Sequence, residues 1–155
     1  MFFFTQITAR RHDLVAGLLF TAMTGPLCAL PAQAADLTVV VNNIQSGAGN
    51  VMLGLFDSAA SFPKTVVKGV QATAVGRDAT GRVTLVLRDL APGQYALSAY
   101  HDLNGNGQLD SNLMGLPTEP YGFSNNARGS FGPPSFQAAS VVLPAQGLTL
   151  ELPVQ

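Results

Sequence analysis

The sequence has one cysteine, two histidines, and only 8 Lys and Arg against 9 Asp and Glu in 155 residues. Each shortage excludes something. A lone Cys28 leaves no internal disulfide to staple a fold, which is compatible with an oxidising compartment without demanding one. So few basic residues leave no electrostatic footprint for nucleic acid and no basic patch for anionic lipid. The longest clear apolar run, Val15–Met23, is well short of the roughly 20 residues that a membrane-spanning helix needs. No segment sustains a helical period, and neither an internal repeat nor a low-complexity tract is present. A serine elbow, a cysteine nucleophile and an HExxH pattern are all missing.

What is present at the start reads as an export signal. Arg10, Arg11 and His12 precede the apolar run, and Ala32-Gln33-Ala34 supplies small residues at a cleavage site. Cleavage is expected after Ala34 or Ala35, with an uncleaved anchor as the alternative. Asp13 argues against a twin-arginine signal. Gly25-Pro26-Leu27 before Cys28 does not make a lipid-attachment box, so Cys28 is expected to leave with the signal. The expected organisation is a signal peptide over 1–35 and one domain over 36–155, periplasmic or extracellular. Without Arg10, Arg11 and Asp13, six basic residues remain against eight acidic, a net charge near −2. A chain of this length buries roughly two-thirds of its unfolded surface, enough for an independent core.

The remaining sequence alternates with period two, the mark of half-buried strands. Seven candidate strands carry it: Leu37–Val41, Val51–Leu55, a looser stretch over Thr65–Val75, Val83–Leu87, Tyr95–Ala99, Ala139–Leu143 and Leu148–Leu152. Ala91-Pro92-Gly93 supplies a tight turn between two of them. Only Ser58–Ser61 suggests a turn of helix. The pattern predicts an all-β fold, a single antiparallel β-sandwich of Ig-like or transthyretin-like kind. One long interruption, Asp102–Ser135, is rich in Gly, Pro and Asn but also holds aromatics, and with Phe136 it predicts a packed, ordered loop.

That interruption opens with YHDLNGNGQLDSN, Tyr100–Asn112. Asp102, Asn104 and Asn106 stand two apart and are followed by Gly107, the D-x-[DN]-x-[DN]-G opening of a calcium loop. Oxygens at alternate positions curl around a hard cation while Gly107 allows the sharp turn. Gln108 would add its carbonyl, Leu109 would point inward as an anchor, and Asp110 would bind directly or through water. The bidentate glutamate of an EF-hand is absent, since Leu113 stands at that position, and the flanks read as strand and loop. Glu119 or Asn112 could complete the set. With so few charged ligands, an affinity on the order of 0.1–1 mM is expected. The competing reading is a turn whose Asn and Asp side chains bond back to the backbone.

The second constellation is Glu119–Phe136, EPYGFSNNARGSFGPPSF. Tyr121, Phe123, Asn125, Asn126 and Arg128 could line a site for a glycan, a peptide or a small molecule. Alternatively, the aromatics plug the end of the sandwich. His101 falls on the face of Tyr95, Leu97 and Ala99, which reads as a buried, hydrogen-bonded core histidine. A hydrolase would need it to work with Glu119 or Asp102.

The segments HDLNGNGQLD (His101–Asp110) and YGFSNN (Tyr121–Asn126) resemble those of the secreted bacterial family called domain of unknown function 2141. The resemblance runs from about Leu37 to Val142. It implies export and a small β-rich domain and brings no activity with it. The PGQY strand before D-x-N-x-NG is also similar to transthyretin-like and Cna-B-type modules, though fold does not fix function. The expectation is a non-enzymatic envelope module with a weak calcium loop that orders a binding or capping loop. Its partner would be an envelope protein, a glycan or a small molecule. An envelope hydrolase and a transthyretin-like small-ligand carrier are the alternatives.

Overall fold

A computed structural model describes residues 33–155. The expected signal segment and Cys28 lie outside the described residues, apart from residues 33–35. Eight strands form: β1 (Ala35–Asn42), β2 (Asn50–Phe56), β3 (Lys68–Thr73), β4 (Val83–Leu90), β5 (Gly93–Asp102), β6 (Tyr121–Phe123), β7 (Ser140–Leu143) and β8 (Leu148–Pro153). They make two sheets. One has the order β4-β1-β8. The other runs β3-β2-β5-β6, with β7 also pairing on β5. The all-β sandwich expected from the alternation is what the chain forms. Every strand pairing between named strands is antiparallel except β1–β8, which is parallel.

Alternation decides which side chains meet, because successive residues of a strand face opposite ways. Leu37, Val39 and Val41 of β1 meet Val51, Leu53 and Leu55 of β2, Leu85 and Leu87 of β4, Leu97 and Ala99 of β5, and Leu152 beyond β8's midpoint. All are nearly or fully buried and form the core between the sheets. The five-stranded sheet is also partly covered on its other face. There Phe56, Phe62, Ala96, Phe123, Phe136 and Ala139 make a second, aromatic cluster. Phe62 stands edge-on to Phe56 at 5.1 Å, to Phe123 at 5.6 Å and to Phe136 at 6.1 Å between ring centroids. Edge-to-face rings at these distances attract beyond their area burial.

Three expectations need correction. The helical turn falls at Phe136–Ala139 (α1), where Ser135 caps it by accepting the Ala138 N–H at 3.2 Å. Ser58–Ser61 is a hydrogen-bonded turn only. Ala139 therefore ends a helix and precedes β7 instead of opening it. The long interruption also contains an eighth strand, β6, too short for its alternation to show. Finally, its aromatics are not all packed: Phe131 is fully exposed, whereas Phe123 and Phe136 are buried.

Candidate functional site

Strand β5 delivers His101 and Asp102 to one end of the sandwich, and both are buried, each 1% exposed. Residues 103–120 then leave the sheet and return to it at β6, where Tyr121 pairs with Tyr100. Asp102 organises the departure. Its Oδ1 accepts the N–H groups of Gly105 (2.8 Å) and Asn106 (3.1 Å), and its Oδ2 accepts that of Gly107 (2.8 Å). Three charge-assisted bonds offset the cost of burying a carboxylate. Gly105 and Gly107 hold φ of +75° and +76°, which glycine adopts without penalty.

Asn104 and Asn106 continue the curl. Asn104 Oδ1 accepts the Asn106 N–H at 3.0 Å, and Asn106 Oδ1 accepts the Gln108 N–H at 2.8 Å. Their amide groups both turn to Asp110, with Asn104 Nδ2 donating at 2.6 Å and Asn106 Nδ2 at 3.0 Å. Asp102, Asn104, Asn106 and Asp110 are thus brought together in one ring. Gln108 is exposed and contributes its N–H to that ring. Leu109 does not point inward as expected; it is 36% exposed, because the inside of the loop is filled by the Asp102 carboxylate and the N–H groups it collects.

Glu119 acts as a staple. It is 6% exposed, and its carboxylate accepts the Leu103 N–H at 2.8 Å and the Asp110 N–H at 3.0 Å. It clamps the start and the middle of the loop from its far end. Among the described residues, no three His, Cys, Asp or Glu side chains converge tightly enough to hold a metal by themselves. A cation here would depend on the neutral oxygens of Asn104 and Asn106. To admit it, the two amides that now face Asp110 would have to turn.

Tyr100, which the sequence reading left aside, ties the loop to the sheet by donating its hydroxyl to Gly107 O at 2.9 Å. Burial, and then the negative charges of Asp102 and Glu119, push its phenol pKa above 10. His101 Nε2 meets Ala48 O at 2.8 Å, joining the β1–β2 connection to the end of β5. No hydrogen bond links its ring to Asp102 or Glu119 among the described residues, and the Glu119 oxygens both serve backbone N–H groups.

The aromatic segment is divided among several tasks. Phe123 packs in the outer cluster, and Tyr121 leans edge-on against it at 6.0 Å. Asn125 and Asn126 adopt positive φ in a tight turn. Asn125 Nδ2 donates to the carbonyls of Ala138 (3.3 Å) and Ser140 (2.6 Å). Asn126 Oδ1 receives Arg128 at 3.3 Å, and both residues are exposed. These five residues stand close in sequence, but Phe123 and Asn125 are committed to holding the segment down.

Two clefts are also present, the first reaching the loop at Tyr100 and Gly107. A groove of about 400 Å³ crosses the outer face of the five-stranded sheet, lined by Met52, Gly54, Val66, Gln71, Ser98 and Tyr100 among others. A polar cleft of about 510 Å³ lies between Asn43–Gln45 and Arg77–Gly81. Its acid, Asp78, is used by its own turn. The Thr80 side chain and then the Arg82 N–H hold its carboxyl below the ordinary aspartate value.

Among the described residues, no helix is long and apolar enough to cross a membrane. Comparison with curated proteins and with solved structures gave no match. The family described as an uncharacterized protein conserved in bacteria matches residues 39–150, which spans both sheets and the whole loop. The chain therefore belongs to that family, domain of unknown function 2141.

Proposed function

We propose that this chain is an exported, non-catalytic β-sandwich module whose loop 102–119 responds to calcium. The observation that carries the reading is the ring of Asp102, Asn104, Asn106 and Asp110 at one end of β5. Asp102 and Asp110 supply charge, and the asparagines supply neutral oxygens. Gln108 adds its carbonyl, and Glu119 holds the loop ends in register. Calcium takes six to eight oxygens and tolerates irregular geometry, so a mixed set of this kind suits it better than magnesium. Turning two amides away from Asp110 costs free energy, which keeps the affinity weak.

The test is a calcium titration of the melting temperature, with Asp110→Asn as the control. Asp110 is the better control than Asp102, because its carboxylate meets only the two asparagine amides and no backbone N–H. At a Kd of about 0.5 mM, about 10 mM calcium stabilises by about 1.8 kcal/mol. That raises the melting temperature by about 6 °C for a domain of this size. The rise should vanish in Asp110→Asn. A response that is flat in the native protein, or equal in both, leaves a self-bonded turn and sinks the calcium reading.

A further inference from the structure

We infer that the hairpin at residues 110–118 is a lipid-contacting tip, which places Leu113, Met114 and Leu116 in the interfacial region of a bilayer. This goes beyond the calcium reading and does not depend on it. The first observation is exposure. Leu113 is 108% exposed, Met114 82% and Leu116 57%, a cluster of large apolar side chains on a five-residue turn. The second is neutrality, since no residue from Ser111 to Thr118 carries charge. The tip can leave water without desolvating an ion.

The third observation concerns the backbone. Asn112 Oδ1 accepts the N–H groups of Met114 (2.9 Å) and Leu116 (3.1 Å). The Asn112 N–H reaches Leu116 O, and the Gly115 N–H reaches Asn112 O, both at 2.9 Å. Four of the five N–H groups of Asn112–Leu116 are therefore satisfied inside the turn. A bilayer offers unpaired N–H groups no partner, so internal pairing is the condition for entering it. The carbonyls of Leu113–Gly115 accept nothing from a described residue. They need hydration, so the insertion is shallow, at the boundary of headgroups and acyl chains.

A protein partner fits this tip less well. A stable interface needs about 800 Å² on each side and is anchored by aromatic residues and arginine. One convex turn of Leu, Met and Leu offers neither. An antiparallel β-bridge between Ser111 and Pro117, and the Thr118 N–H on Asp110 O at 2.8 Å, hold the tip on its stem.

The chain has no tryptophan, so one introduced indole reports locally. Leu113→Trp in the full chain is mixed with phosphatidylcholine vesicles, with and without brominated acyl chains, in the presence of a calcium chelator. The expected result is a blue-shifted emission and strong bromine quenching. Val142→Trp is the reference. Val142 is exposed and pairs with Gln94 at the far end of β5 from Asp102, about 27 Å away along the strand. It should be quenched several-fold less. Because the reporter is local, lipid binding by residues 1–32 does not imitate this difference. Adding Met114→Ser and Leu116→Ser to Leu113→Trp should weaken vesicle binding at least about tenfold, given the area removed. The inference is overturned by an unshifted Leu113→Trp emission, by equal quenching at both positions, or by quenching that survives the two serines. A blue shift that appears without lipid and grows with protein concentration also overturns it, assigning the tip to a second copy of the chain.

Discussion

Replacing Asp102 tests the central claim about the loop, that one buried carboxylate holds its backbone. Asp102→Ala removes the acceptor for three N–H groups, those of Gly105, Asn106 and Gly107. A hydrogen bond to a charged group contributes about 1.5–3 kcal/mol when its donor stays buried. These three donors belong to exposed residues and can turn to water, so a value below that range, about 1 kcal/mol each as for an ordinary hydrogen bond, is appropriate. The expected loss is about 3 kcal/mol, or about 10–15 °C in melting temperature. Asp102→Asn keeps one oxygen. With that oxygen on the side of Gly105 and Asn106, the new amide faces the Gly107 N–H, donor against donor. Its expected cost is about 1–2 kcal/mol, less than that of alanine. Thermal melting followed by circular dichroism gives both values, and hydrogen exchange at Gly105–Gly107 reports the loop directly. Should Asp102→Ala melt within about 3 °C of the native protein, the carboxylate contributes under about 1 kcal/mol and does not hold the loop's backbone.

Other expectations follow from single contacts. Glu119→Gln leaves one of two N–H groups, Leu103 or Asp110, opposite an amide donor; it should cost about 1–2 kcal/mol in urea unfolding without altering the slope. Gly122→Ala places a Cβ 2.1 Å from Pro153 O, so β6 must part from the chain beside it, and amide exchange at Tyr121 and Gln155 should quicken. Tyr100 has its folded pKa raised above the unfolded value, so its contribution to stability is complete below the unfolded pKa and is lost as pH rises through the folded one. Alkaline difference absorbance should show a late-ionising tyrosine component in the native protein, and Tyr100→Phe should remove it.

The sequence disclosed most where a strand is long and one face is wet. β1, β2, β4, β5 and β8 follow their alternation, because five residues suffice to display period two. β6 has only Tyr121, Gly122 and Phe123, and the reason for its central glycine lies across the fold at Pro153. Nothing local reveals that. The second core was not read from the sequence: that the adjacent Leu55 and Phe56 are both buried, which a sheet covered on one face does not allow, is seen only in the structure. The motif Asp102–Asp110 named side chains that the structure brings together by hydrogen bonds. It misdirected Leu109, since spacing cannot say that a carboxylate already fills the loop's interior. The exposed Leu113 and Met114 were legible as an apolar pair inside a polar segment, yet only the structure places them on a capped turn.

The parallel pairing of β1 with β8 has a consequence for the order of events. Leu37, Val39 and Val41 stand beside Leu148, Leu150 and Leu152, so the first strand of the domain has one flank open until the last arrives. Tyr121 and Gln155 then exchange hydrogen bonds at 3.2 and 3.1 Å, fastening one sheet to the other. Contacts between such distant parts of a chain form slowly, because loop closure precedes their reward. A chain held unfolded in a narrow passage, with residues 148–155 still behind, cannot complete this sandwich. The same topology that seals the domain makes its completion wait for residues 148–155.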